Sequence, residues 1–178
     1  GVSEYSHDHC SAKGCIVSAL IKQIEIFKNK DASKRKRKEA LKFIGHFIGD
    51  VHNPLHIGYL SDLGGNRLEV EVWNGNGKKT NMQRVWDGWI PNYALTKPLL
   101  FLDIEKASPI EIGMSHEERV IYWINENREI LLSDAVGYVA RQSFLDQAYF
   151  EKNVPIVYYR MSFAGSRLAY LIEELLGN

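Results

Sequence analysis

The stretch "HFIGDVHNPLH", residues 46–56, gathers three histidines and an aspartate within eleven positions. Imidazole nitrogen and carboxylate oxygen are ordinary zinc ligands. His46 and Asp50 stand at i and i+4, a spacing that puts two side chains on one helix face about a turn apart. Both can touch one ion. Because a residue before proline is disfavoured in the helical region, Pro54 should end the helix near Asn53 and bend the chain to present His56. The spacing supports a metal site made from a helical pair and a returning loop. The simpler reading of His46 and Asp50 is a surface ion pair, which contributes about a few tenths of a kcal/mol.

The elements that must carry these groups read mostly as helix. "CIVSALIKQIEIFKN" places Ile16, Leu20, Ile24 and Phe27 on one face, and "KRKEALKFIGHFIGDVH" does the same with Leu41, Ile44, Phe47 and Ile48. Between them run five consecutive basic residues, Lys34 to Lys38. A nucleic-acid patch is one reading of such a run, but at the start of a surface helix it reads first as a solvated face. After the histidine cluster, Leu68, Val70 and Val72 alternate with polar residues before a Gly-Asn-Gly turn, which predicts a short β-hairpin. Ser115 and Glu118 occupy capping-box positions at the start of a further helix. Two more helices are expected over about 133–150 and 155–176, with Pro155 and Gly177 marking the start and stop of the last.

The chain has 178 residues, the size of one ordinary domain, and no apolar run approaches the ~20 residues needed to cross a bilayer. Lys+Arg and Asp+Glu both count 22, so net charge gives no argument for steering toward nucleic acid or an acidic surface. Cys10 and Cys15 stand five apart with Gly14 between them, which leaves open a small disulfide loop, two buried thiols, or half of a zinc site.

The string "HFIGDVHNPLH", followed by "GGNRLEV" and then "NMQRVWD", resembles the zinc-dependent class I nuclease family, the S1/P1 type of single-strand nucleases and 3'-nucleotidases. Upstream "YSHDHCSAKGCIVSAL" and downstream "YYRMSFAGSRLAYLIEELL" extend the resemblance over almost the whole chain. It implies a mainly α fold, a phospholipase C/class I nuclease-like helical domain with a short β-hairpin, over residues 1–178 as a single domain. It also implies three zinc ions at the bottom of a cleft. His46 matches a ligand of the most buried ion, and Asp50 matches the carboxylate bridging that ion to its neighbour, which makes it the catalytic aspartate. His56 and Asp87 match ligands of the third ion. His52 matches a position that does not ligate and is read as structural; His7, His9 and His116 match no ligand. Cys10 and Cys15 match a disulfide pair. Asn66, in the Gly-Gly-Asn loop, is a candidate substrate contact, or else a turn residue at the hairpin entry.

Two departures stand out. Gln83 occupies the position of a histidine ligand of the third ion, and an amide oxygen is a poorer zinc ligand than imidazole. The family's first segment, which carries an N-terminal Trp, two His and an Asp of the cluster, has no counterpart, so the expectation is a domain without its N-terminal segment. The implied activity is hydrolysis of single-stranded RNA or DNA to 5'-nucleotides and removal of 3'-phosphates, by a secreted or periplasmic monomer acting on nucleic acid or a 3'-nucleotide. A phospholipase C-like phosphodiesterase and a catalytically weakened zinc-binding protein are the alternatives.

Overall fold

Apolar side chains at helical spacing build the first layer. In the computed structural model, which describes residues 4–6, 10, 14–97, 113–138, 140 and 143–177, α1 (Ile16–Lys28) and α2 (Lys34–Val51) bury Val17, Leu20, Ile24, Phe27, Ala40, Ile44, Ile48 and Val51. The buried stripes are turned slightly from the expected ones. Val17 is buried where Ile16 is half-buried, and Leu41 and Phe47 lie at the core margin. Ser33 caps α2 by accepting from the Lys36 backbone N–H, which leaves the run Lys34–Lys38 on solvent apart from half-buried Arg37.

After α2 come two short 3-10 turns, Pro54–Ile57 and Leu60–Asp62, and then the hairpin of β1 (Glu69–Val72) and β2 (Lys79–Asn81), paired antiparallel with Val70 opposite Thr80. A run of three pieces follows without a break: α3 (Met82–Arg84), one π turn (Val85–Trp89) and α4 (Ile90–Ala94). The capping box predicted at Ser115 and Glu118 opens α5 (His116–Leu132).

The C-terminal third departs from expectation. Instead of a helix over about 133–150, the chain turns near 134–136 and then forms a two-residue strand, β3 (Phe144–Leu145), parallel to β1. The hairpin's open edge recruits it: the Glu71 N–H donates to the Ser143 carbonyl at 2.8 Å and the Trp73 N–H to the Leu145 carbonyl at 3.0 Å. So short a strand leaves no periodicity to read. The last helix, α6 (Gln147–Gly177), begins eight residues before Pro155 and carries that proline in its interior.

An interior proline removes a backbone hydrogen bond and costs ~3 kcal/mol or more. Here Glu151, whose carbonyl loses its partner, is on solvent, as is Pro155. Burial of Phe150, Val154, Val157 and Tyr158 on the opposite face holds the helix through the break. Asn153 reinforces it by donating from Nδ2 to the Tyr149 and Ala135 carbonyls at 2.8 and 3.0 Å.

Among the described residues two apolar cores result. One joins α1, α2, α5 and the C-terminal half of α6; the other joins the small sheet, α4 and the N-terminal half of α6. The segment after α2 crosses from one to the other: Val51 and Ile57 belong to the first core and Leu55 to the second. The histidine cluster therefore stands on the seam. No described helix is long and apolar enough to cross a membrane.

Candidate metal centre

The last turns of α2 point one face into the core and the other at solvent. Ile44, Ile48 and Val51 are fully buried, which turns His46 and Asp50 outward on the opposite side. His46 Nε2 lies 3.3 Å from Asp50 Oδ2. The helix ends at Val51 with His52 as its C-cap, and Asn53 takes extended dihedrals (φ −90°, ψ 118°), as a residue before proline should. Asn53 Oδ1 accepts from the Leu55 N–H at 3.0 Å and starts the 3-10 turn that carries His56. Arg128 Nη1 donates to the Ile57 carbonyl at 3.3 Å, and Asn127 Nδ2 donates to the Val51 carbonyl, so α5 clamps both ends of the bend.

Asp87 arrives from the other side of the seam, on the π turn. With five residues in that turn, Val85, Trp86 and Ile90 stay buried while Asp87 is pushed out to the surface. Trp86 is fixed by donating from Nε1 to the Tyr149 hydroxyl at 3.0 Å, and that hydroxyl donates to the Val136 carbonyl at 2.7 Å.

These pieces form one chain of contacts. His56 Nδ1 is 3.7 Å from Asp50 Oδ1, and His56 Nε2 is 2.8 Å from Asp87 Oδ1. Asp87 Oδ1 also accepts from Asn53 Nδ2 at 2.7 Å, and Asp87 Oδ2 from Gln83 Nε2 at 3.1 Å. Asp50 thus faces a different histidine through each of its oxygens. Together with Trp86, Pro91, Val157, Met161 and Arg160, the residues Asp50, Asn53, His56 and Asp87 line a cleft of about 410 Å³.

Among the described residues, no three His, Cys, Asp or Glu side chains close around a single point; the donors come in pairs. A tetrahedral zinc ion with bonds of ~2.0–2.2 Å holds two of its ligand atoms roughly 3.4 Å apart. The His46–Asp50 pair is at that spacing, His56 and Asp50 are slightly wider, and His56 and Asp87 are at hydrogen-bond distance, where a proton occupies the place of a cation. The donor set of imidazole and carboxylate suits zinc. His46, Asp50, His56 and Asp87 are the residues that would hold it.

Gln83 is buried, and a carboxylate can only accept, so the end of its amide that meets Asp87 is the nitrogen. Its Oε1 turns toward the loop at Gly64. That loop needs glycine at 64, where φ is +62° and a Cβ would collide with the Leu55 carbonyl. Asn66 is exposed and folds its Nδ2 back onto the Leu63 carbonyl at 2.9 Å, although it also lines a shallow depression with His56 and Gln83.

His52 behaves differently from its neighbours. It is 2% exposed, its Nδ1 donates to the Ile48 carbonyl at 2.7 Å, and its Nε2 accepts from Arg167 Nη1 at 2.9 Å. Burial first, then the nearby Arg160 and Arg167 charges, push its pKa down to about 3, against the opposing bond to Ile48. Glu126 Oε2 binds Arg167 Nη1 at 2.6 Å and stands 3.4 Å from Arg160 Nη1, completing a largely buried network at the floor of the cleft, which His52 and Arg160 line. Burial lowers Arg160 to about 10, with Glu126 opposing. Sequence reasoning missed Arg160, Arg167 and Glu126, because no spacing links two positions on α6 to one on α5.

Cys10 and Cys15 are joined as a disulfide with Cα atoms 5.1 Å apart. His7 and His9 lie outside the described residues. His116 sits away from the cluster, 3.3 Å from Glu174.

Residues 2–177 match a family model described as S1/P1 Nuclease. The chain belongs to the S1/P1 nuclease family. Among its relatives, Endonuclease 1 of Arabidopsis thaliana is 30% identical over 202 residues, covering 98% of this chain and 64% of the relative. Nuclease S1 of Aspergillus oryzae is 28% identical, covering 96% of this chain and 65% of the relative. Nuclease P1 of Penicillium citrinum is 33% identical over 88 residues, 49% of this chain and 31% of the relative. This S1/P1 family chain thus spans just under two-thirds of the length of the first two.

Proposed function

We propose that this protein is a zinc-dependent phosphodiesterase that hydrolyses single-stranded RNA or DNA to 5'-nucleotides and removes 3'-phosphates. One observation carries the reading within a nuclease family. Two imidazole–carboxylate pairs, His46 with Asp50 and His56 with Asp87, stand side by side, with Asp50, His56 and Asp87 on the wall of one cleft, as donors for neighbouring cations require. Zinc, when bound, supplies the Lewis acidity that activates water at neutral pH and stabilises charge on the phosphoryl group. The chain's own residues do the rest. His46, Asp50, His56 and Asp87 hold their donor atoms on a rigid seam between two cores, and Asn53 and Gln83 orient the Asp87 carboxylate. The apolar wall of Trp86, Pro91, Val157 and Met161 excludes water and suits an unpaired base, which a duplex does not offer cheaply. Three zinc ions, one nuclease domain and a monomeric protein are part of this reading. So is a secreted or periplasmic setting, supported by the Cys10–Cys15 disulfide, which persists in oxidising compartments.

Gln83 favours a second reading, a catalytically weakened zinc protein, because its amide turns toward Asp87 the nitrogen, a proton donor with no lone pair for a cation, and its oxygen toward the Gly64 loop. Elemental analysis together with hydrolysis assays separates the two. Bound zinc and cleavage of single-stranded RNA, lost on chelation, support the nuclease. Zero or one zinc ion and no cleavage of any nucleic acid support the weakened protein. Cleavage of phosphatidylcholine in place of RNA would move the reading to a phospholipase.

A further inference from the structure

Charge in this chain is balanced at 22 to 22 but not evenly spread. Residues 28–42, which form the end of α1, the turn after it and the first half of α2, hold eight basic and two acidic side chains, so the rest of the chain carries the opposite excess. The cations of this corner are not equivalent. Arg37 is half-buried, donates from Nε to the Phe27 carbonyl at 2.9 Å and lies 5.4 Å over the Phe27 ring, which ties α2 to α1. Lys28 faces Glu25 at 3.7 Å, whereas Lys30, Lys34, Arg35, Lys36, Lys38 and Lys42 are exposed and take part in no ion pair among the described residues. At roughly 3.6 residues per turn, Lys34, Arg35, Lys38 and Lys42 span about 100° of the helix circumference, away from buried Ala40, Ile44 and Ile48. The stability of the fold does not ask for them there. With no acidic residue in the first turn of α2, Lys34, Arg35 and Lys36 stand at the positive end of the helix dipole, and the i, i+4 pairs Lys34–Lys38 and Lys38–Lys42 repel.

We infer that this corner is a docking face for an anionic phospholipid bilayer, with Lys34, Arg35, Lys38 and Lys42 against the charged headgroups. Charge complementarity carries the inference, because a cluster of roughly four to eight Lys or Arg is what a negative leaflet attracts. Shape agrees with it. Residues 28–42 line neither the metal-centre cleft nor the depression at Asn66, and an exposed turn between two helices meets a plane more readily than it encloses a ligand. A single nucleic-acid strand fits less well, since no aromatic side chain stands among residues 28–42 and an unpaired base has nothing there to stack on. The uneven charge also turns the molecule corner-first toward a negative surface. The inference goes beyond the hydrolytic reading and does not depend on it.

Vesicle cosedimentation tests the face, with the whole chain in EDTA so that no lipid is cleaved. The protein should pellet with vesicles of phosphatidylcholine containing about 30% phosphatidylserine and stay in solution with phosphatidylcholine alone, and ~0.5 M salt should release it. Lys34→Gln, Lys38→Gln and Lys42→Gln should each weaken binding roughly fivefold, and the triple variant about 100-fold. Glutamine is as good a helix former as lysine and the substitutions remove repulsion, so the triple variant should melt no lower than the wild type. Lys78→Gln, in the turn of the hairpin on the other core, removes the same charge elsewhere and should bind as the wild type does. No pelleting with phosphatidylserine vesicles, equal pelleting with phosphatidylcholine alone, or a triple variant that binds normally would each overturn the docking face. So would an equal loss in Lys78→Gln, which would mark an effect of net charge alone. If vesicles are ignored while a DNA duplex is held through the same three lysines, the face belongs to a polynucleotide and the bilayer is excluded.

Discussion

His46 and His56 differ from His52 although all three fall within one eleven-residue stretch. The first two keep access to solvent and meet carboxylates; the third is 2% exposed and meets a carbonyl and a guanidinium. The outer pair has donors arranged as a cation would use them. The inner one is kept neutral by burial and acts as a hydrogen-bonding strut between α2 and α6. Residue type is the same in both regions; what differs is the dielectric and the sign of the neighbouring charge.

The comparison is broken most severely from below. Glu126→Ala removes the carboxylate that faces both buried arginines and leaves their two like charges close together without it. Breaking a buried pair in this way costs about 4 kcal/mol. Chemical denaturation should show that loss. A fall under about 1 kcal/mol would mean that Arg160 and Arg167 reach water and that the inner region is not sealed.

Acid tests the inner histidine. Its folded pKa is depressed to about 3 from an ordinary value of 6.5, so below pH 6.5 the unfolded chain binds a proton that the folded chain refuses. Stability from this group is complete above pH 6.5 and is lost as pH falls toward 3. Between pH 6.5 and 4 the loss is about 3 kcal/mol. The pH profiles of the wild type and of His52→Gln, which keeps an acceptor for Arg167, should diverge by that amount over this window. Parallel profiles would show His52 protonating freely.

The outer region is tested by Asp50→Asn, which keeps shape and removes charge. Hydrolysis of single-stranded RNA should fall at least ~100-fold, the size expected when one strong electrostatic stabiliser is lost. The melting temperature should hardly move, since Asp50 belongs to neither core. Near-normal activity with normal zinc content would remove Asp50 from the centre.

Gln83→His is the mildest change. An imidazole in place of the amide offers zinc a nitrogen lone pair beside Asp87, and affinity should rise about tenfold. Zinc titrations of the two proteins would show it. Indistinguishable affinities would mean that position 83 faces the Gly64 loop whichever residue fills it.

Local rules made much of this molecule legible in advance. Helical spacing of apolar residues located α1 and α2, the capping box located the start of α5, and alternation with a Gly-Asn-Gly turn located the hairpin. Pro54 located the bend that presents His56. These features depend on neighbours within a few residues, where sterics and hydrogen bonding act directly. The same rules failed at α6. They read Pro155 as a boundary because its cost is local, whereas the burial of Phe150, Val154 and Val157 that offsets it depends on a core assembled from distant parts of the chain.

For the centre, the sequence by itself determined the kinds of donor and the i, i+4 pairing of His46 with Asp50, since both follow from residue identity and helix pitch. Only the tertiary structure decided that Asp87, 31 residues after His56, comes within 2.8 Å of it. It alone gave Asp87 a π turn that lifts it clear of the core, turned the Gln83 nitrogen toward that carboxylate, and placed His52 over Arg167. Each of these depends on how two apolar cores close against one another, and that closure is a property of the whole chain.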